Sequence, residues 1–335
     1  MSTQIVFSEE FSKHNSIGHP ENAERLNVII EEIKKSKFYS DIELLKPEIL
    51  PEKLLYDVHS ERMIEQIKEM SNEYESWVDM DTYVCKSDYD IARLAAGGLL
   101  KLSNNVINGI ADNAFALIRP PGHHATKNRS MGFCLFNNAA ISANELTKKG
   151  KKILIFDFDV HHGNGTQDIF YERSDVMYQS FHLSPHYPGT GDTSEIGMGE
   201  GMGFTVNVPV SHGNGNNAIS KTLDEIFLPI SKQFKPDLII FSSGYDSHYL
   251  DPLGGLRLTS QFYGKIIEKF QKIQPKIVCT LEGGYNLSWI GKCIVSQLGQ
   301  MVGKEVDFKD TANEEENVNN VIKEIKNEMN KFWKL

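Results

Sequence analysis

Hydrophobic residues gather in six short runs along the chain, at 114–118, 153–158, 176–181, 204–208, 238–241 and 277–281. Each run is apolar at successive positions rather than at alternate ones. Strands covered on both faces have this pattern, as in a parallel sheet held between helices. Between the runs the apolar period lengthens to that of a helix. The segment 137–149 is Ala-rich and ends near Gly150. The segment 217–234 carries Ile219, Leu223, Ile226 and Ile230 on one face, and 259–271 carries Phe262, Ile266, Ile267 and Phe270. Strands alternating with helices predict a layered α/β fold. Near the end of the chain, Thr311 and Glu314 have the spacing of a capping box and predict a helix start. Val318, Val321, Ile322, Ile325, Met329 and Phe332 then fall on one stripe. An amphipathic helix ordinarily turns such a stripe toward its own core, so a terminal helix docked on the domain is expected rather than a partner-binding one.

Composition narrows the picture. The chain has 335 residues, 40% hydrophobic and 24% charged. These proportions are ordinary for a globular protein. Length alone suggests two domains, but large α/β folds exceed that size as one unit. The net charge is −10. That argues against direct nucleic-acid binding, which needs clustered Lys and Arg. The four cysteines, Cys85, Cys134, Cys279 and Cys293, form no C-x-x-C pair. Neither a disulfide framework nor a cysteine metal site is therefore suggested. The N-terminus lacks a basic start followed by an apolar stretch, and no apolar run reaches membrane-spanning length. A cytoplasmic protein without a membrane partner is expected.

The unusual polar groups directly follow the apolar runs. Arg119-Pro-Pro-Gly-His123-His124 follows the first, and Asp157-Phe-Asp159-Val-His161-His162-Gly-Asn164 straddles the end of the second. Ser180-Phe-His182 ends the third, Gly244-Tyr245-Asp246 follows the fifth, and Glu282-Gly-Gly-Tyr285 follows the sixth. In open α/β sheets the ligand crevice lies beyond the carboxyl ends of the strands, so these segments are expected to meet. In an extended segment residues i and i+2 point the same way. Asp159 and His161 can therefore aim at one point with Val160 in the core, and Asp246 can complete a two-carboxylate, one-imidazole metal site with a place left for water. Such oxygen-rich ligation suits Zn²⁺ but leaves Fe(II) or Mn(II) open. His123 and His124 read either as a turn or surface pair or as acid–base groups. Tyr285 reads either as a core tyrosine or as a hydrogen-bond donor to an oxyanion opposite the metal.

Taken together, the motifs RPPGHHA at 119–125, GFCLFNN at 132–138, DFDVHHGNGTQ at 157–167, YPGTG at 187–191, GYDSHYLDPLGGLRLT at 244–259 and EGGYN at 282–286 resemble the histone deacetylase family. That family includes bacterial and archaeal acetylpolyamine and acetoin-utilisation relatives. The resemblance begins near Gly18-His-Pro-Glu21 and covers most of the chain. It implies a three-layer arginase/deacetylase fold with a central, mostly parallel sheet of about eight strands. It implies a catalytic domain over 1–303, with 304–335 as a C-terminal segment docked on it.

The implied activity is hydrolysis of an acetyl amide by a metal-activated water, with Zn²⁺ on Asp159, His161 and Asp246. His124 would be the general base and then the acid, partnered by Asn164, while His123 would be an electrostatic histidine oriented by Asp157. Tyr285 would polarise the acetyl carbonyl. Gly132, Phe133, Tyr187, Leu253 and Gly283 would line the substrate channel. Asp157 and Ser180 would help bind a structural K⁺. Asn164 stands where class I enzymes carry a second carboxylate, as in class II and many prokaryotic members, and a neutral partner stabilises imidazolium less than Asp would. Tyr285 is retained, and Tyr187 replaces the Phe of many eukaryotic members.

The implied substrate is an acetylated protein side chain or a small acetylated amine. Polyamine-selective relatives place an acidic residue near the channel mouth, where this chain has Leu253, and that favours acetyl-lysine. An arginase-like binuclear site would need further Asp and His ligands, which these motifs do not supply. An inactive acetyl-lysine-binding homologue would ordinarily lack a metal ligand or the tyrosine, and all are present here. Oligomeric state is left open.

Overall fold

The structure, a computed structural model, describes residues 2–335. In chain order the principal elements are β1 (Thr3–Val6), α1 (Glu24–Lys35), β2 (Ile42–Leu45), α2 (Glu61–Met70), β3 (Glu75–Trp77), β4 (Tyr83–Cys85), α3 (Asp88–Ile107), β5 (Asn113–Ala116), α4 (Asn138–Thr147) and β6 (Ile153–Asp157). There follow α5 (Asn164–Phe170), β7 (Val176–Leu183), β8 (Thr205–Val210), α6 (Asn216–Thr222), α7 (Leu228–Phe234), β9 (Leu238–Ser243), α8 (Ser260–Gln271), β10 (Ile277–Leu281), α9 (Ile290–Met301) and α10 (Asn319–Met329).

Eight strands form one parallel sheet in the order β2-β1-β5-β10-β9-β6-β7-β8. Every residue of β1, β5, β6, β7, β9 and β10 is buried, so both faces of the sheet are covered. This is why the six runs are continuously apolar rather than alternating. β1 and the edge strand β2 gave no comparable signal, being only four residues each, with polar Thr3 and Gln4 in one and Glu43 in the other. The β3–β4 hairpin stands apart from the main sheet.

Two expectations are corrected. The 217–234 stripe is not one continuous helix: a π-helical turn at Leu223–Phe227 separates α6 from α7. Thr311 and Glu314 do not start a helix, since α10 begins at Asn319. Glu314 instead reaches across the chain, where its Oε2 accepts the Asn217 N–H at 2.8 Å. That bond satisfies one free donor of the first turn of α6. The stripe beyond it does bury Val318, Ile322, Ile325 and Met329, while Phe332 is only partly covered. All four cysteines are buried and unpaired. Among the described residues, no helix is long and apolar enough to cross a membrane.

Candidate active site

The four central neighbours β5, β10, β9 and β6 lead directly into 117–125, 282–286, 244–254 and 158–164. Residues distant in sequence therefore meet beyond the carboxyl ends of adjacent strands. The metal-ligating atoms of Asp159, His161 and Asp246 lie within 4.8 Å of one another. His161 Nδ1 is 2.9 Å from Asp159 Oδ1 and 3.2 Å from Asp246 Oδ2. The route to this convergence differs from the extended one that was expected. β6 stops at Asp157 and the chain bends through Asp159–His161, yet Val160 is still buried in the core.

These residues fit a divalent cation. Asp246 Oδ2 is fully buried without a hydrogen bond of good geometry. That is a costly state for a carboxylate oxygen. Burial and the Asp159 charge push Asp246 up to about 7. Burial lowers His161, but the carboxylates of Asp159 and Asp246 beside it outweigh that and hold the imidazole at about 10. The site thus demands positive charge, which a divalent ion supplies with the imidazole neutral while also satisfying the orphaned oxygen. A Cβ at Gly283 would collide with carboxylate oxygens of both Asp246 and Asp159. Only glycine therefore lets the β10 loop cross at this height.

The rings of His123 and His124 lie against each other, tilted by 43° with centroids 3.9 Å apart, and both are buried. Their partners differ. His123 Nδ1 is 3.0 Å from Asp157 Oδ2, and His124 Nδ1 is 2.8 Å from Asn164 Oδ1. Burial lowers both. For His123 the charges of Asp157 and Asp159 prevail and raise it to about 10. For His124 the charges of His123 and His161 add to burial and hold it well below the usual histidine range. A second group, His123, Cys134 and Glu282, also has metal-ligand spacing. Its Glu282 carboxylate, however, already accepts the N–H groups of Gly122 and His123 at 2.7 and 3.1 Å. Burial also raises the Cys134 thiol well above its ordinary value, so it stays protonated.

A cleft of about 220 Å³ opens onto this centre, lined by Asp81, Pro121, His123, His124, Gly132, Phe133, His161, His186, Tyr187, Leu253, Gly283 and Tyr285. All five expected channel residues are present. Phe133 has a φ of 68°. A positive φ is uncommon for a bulky residue. The Phe133 N–H is tied to Thr82 Oγ1 at 3.1 Å, and its ring meets Tyr285 edge-on at 5.9 Å. A Cβ at Gly132 would strike the His124 ring. Asp157 and Ser180 are register neighbours on β6 and β7. Asp157 receives the Asp159 N–H and the Tyr178 hydroxyl as well as His123, while the Ser180 hydroxyl pairs with His182 Nδ1 at 2.9 Å.

Sequence reading missed Asp81 and His186, which lie outside the quoted motifs, and did not single out Pro121 within the 119–125 motif. It also missed the support behind Tyr285, where Arg25 Nε donates to the Gly284 carbonyl at 2.7 Å and Nη2 to the Glu282 carbonyl at 2.6 Å. Buried Glu21 binds both Arg25 and Arg119.

Comparison with known proteins identifies the family. The histone deacetylase domain matches residues 19–301. A probable deacetylase of Archaeoglobus fulgidus is 40% identical over 296 residues, 86% of this chain and 82% of that protein. Histone deacetylase 5 of Arabidopsis thaliana is 34% identical over 98% of this chain but 53% of its own length, so the chain spans about half of that plant relative. The crystal structure of the HDA15 HD domain superposes with a TM-score of 0.93 at 33% identity, covering 99% of this chain and 95% of that one. The chain belongs to the histone deacetylase family, hydrolases that act on amides.

Proposed function

We propose that the chain removes acetyl groups from acetyl-lysine side chains, using a divalent ion, Zn²⁺ by preference or Fe(II), held by Asp159, His161 and Asp246. The observation that carries this reading is one cleft lined by His161 of that ligand set, a neutral imidazole, a charged imidazole and a phenol. When bound, the ion supplies electrophilic polarisation of the acetyl oxygen and acidification of a water. His124 is kept neutral by burial and by the charge of His123 beside it. It accepts the proton of the attacking water and then returns it to the leaving amine. His123, kept protonated by Asp157, adds positive charge beside the reacting centre. Tyr285 donates a hydrogen bond to the carbonyl oxygen as negative charge develops there. Phe133, Tyr187 and Leu253 suit the methylene stem of lysine. A K⁺ near Asp157 and Ser180, bracing the segment that carries Asp159 and His161, belongs to the same reading. So do the division into a catalytic domain over 1–303 with a docked C-terminal segment, and a reducing, cytoplasmic setting.

A second reading is a small acetylated polyamine as substrate, and Asp81 on the cleft wall favours it by offering a carboxylate to a distal ammonium. Acetate release from the purified protein, measured on acetyl-lysine peptides, acetylpolyamines and longer acyl-lysines, decides between them. The first reading predicts the highest kcat/KM on an acetyl-lysine peptide. Higher kcat/KM on an acetylpolyamine overturns it in favour of the second, and no release from any acetylated amine overturns both.

A further inference from the structure

The loop that presents Tyr285 cannot hold itself in place. Gly283 and Gly284 precede the tyrosine, and Gly284 has a φ of 112°. Neither residue restricts the backbone through a Cβ. A phenol that must reach one developing oxyanion needs its backbone fixed to within about 0.5 Å. On the upstream side the restraints are evident. Asp159 Oδ2 accepts the Gly283 N–H at 2.8 Å, and Arg25 holds the carbonyls of Glu282 and Gly284, its guanidinium 5.0 Å from the Tyr285 ring centroid. The N–H groups of Tyr285 itself and of the next residue turn the other way, toward the β9 loop.

We propose that Asp251 is a positioning residue for Tyr285. Asp251 Oδ2 accepts the backbone N–H of Tyr285 at 2.6 Å and that of Asn286 at 3.0 Å. Its other oxygen accepts the N–H of Leu253 at 3.0 Å. One carboxylate therefore joins the loop that carries the phenol to the channel wall at Leu253. Asp251 is fixed in turn, because its own N–H donates to the His248 carbonyl at 2.9 Å, in the turn that begins at Asp246. Asn286 Nδ2 adds a parallel tie to the Leu250 carbonyl at 2.7 Å. The phenol, the channel wall and a candidate metal ligand are thus registered against one another through a side chain that does not line the cleft. Three N–H donors on one anion make strong, directional, charge-assisted bonds, which is what a glycine-flanked loop requires. A residue serving only to shape the 248–253 turn would need the Leu253 contact and neither of the bonds to 285 and 286. The proposal rests on the reading of Tyr285 as the oxyanion donor.

The test is a double-mutant cycle on the metal-loaded protein, comparing Asp251→Ala, Asp251→Asn, Tyr285→Phe and the paired variants, with bound metal and Tm measured for each. Asp251→Ala is expected to lower kcat about 10-fold or more with little change in KM or bound metal, since a misplaced group loses transition-state contact first. The same change in the Tyr285→Phe background should cost less than about 2-fold, because the group it positions is already gone. Asp251→Asn, which keeps one acceptor oxygen, should fall between wild type and Asp251→Ala, and it carries the cycle if the alanine variant does not fold. Equal losses in both backgrounds, or a loss that follows bound metal or Tm, overturn the positioning role while leaving Tyr285 as the donor. A Tyr285→Phe variant that turns over like wild type overturns the reading of Tyr285 and this proposal with it.

Discussion

The adjacent histidines offer a controlled comparison, and Asn164→Asp completes it. His123 and His124 are equally buried and each has a polar partner on Nδ1, at 3.0 and 2.8 Å. One partner is a carboxylate and the other a neutral amide. The charged partner helps hold His123 at about 10, whereas His124 lies well below the ordinary histidine value. Asn164→Asp places an anion where the amide oxygen now sits. A unit charge about 4 Å from the imidazolium, at an effective dielectric of about 20, contributes about 4 kcal/mol. The cost of burying the new carboxylate reduces this, so an upward shift of about 1 to 2 pH units is expected for His124. The sign is fixed by the role. A general base must be neutral, so raising its pKa moves the acidic limb of kcat/KM to higher pH. The variant should lose more activity than wild type toward the acidic end of the profile and approach it at alkaline pH. The assay is acetate release from an acetyl-lysine peptide across pH 5–9, with bound metal quantified in each sample. An acidic limb that superimposes on the wild-type curve at equal metal content refutes the assignment of His124 as base.

Tyr285→Phe keeps the ring against Phe133 and removes only the donor. Its kcat should fall by about 10² or more while thermal unfolding is nearly unchanged. Glu21→Gln leaves Arg25 and Arg119 buried without their shared carboxylate. Chemical denaturation of that variant should report about 3–5 kcal/mol lost. His59 is buried, with Nδ1 bonded to the Thr126 carbonyl and Nε2 accepting the Asn137 N–H, and burial pushes it down to about 4. The unfolded chain binds this proton first, so the stability is present above about pH 6.5 and is lost as pH falls through about 4. The full difference is worth about 3 kcal/mol, and His59→Gln should flatten that part of a stability–pH curve. Asp310 accepts the Ser260 N–H at the start of α8 and pairs with buried His248. Asp310→Ala should therefore lower Tm by an amount equivalent to about 1–3 kcal/mol.

The central strands were legible because a strand buried on both faces leaves a continuous apolar run, and each run is followed by the residues it delivers to the cleft. Asp159, His161 and Asp246 could be paired from side-chain direction and charge, although the chain bends where an extended segment was expected. Their support was harder to see. Glu21 and Arg25 look like ordinary helix-start charges in sequence, and only the fold carries them beneath Glu282 and Gly284. Asp251 reads as a turn residue until the β9 and β10 loops are seen side by side. Glu314 shows the opposite failure: its capping geometry is real, but the helix it caps begins about a hundred residues earlier in the chain.

The measurement that tests the account most directly is a titration of the metal-free protein. Activity on an acetyl-lysine peptide, read as acetate released, is followed against bound divalent ion per chain. The account predicts negligible turnover without ion and a linear rise that saturates at one ion per chain, with Asp246→Ala neither binding the ion tightly nor turning over. Full turnover in protein verified to be metal-free would contradict it.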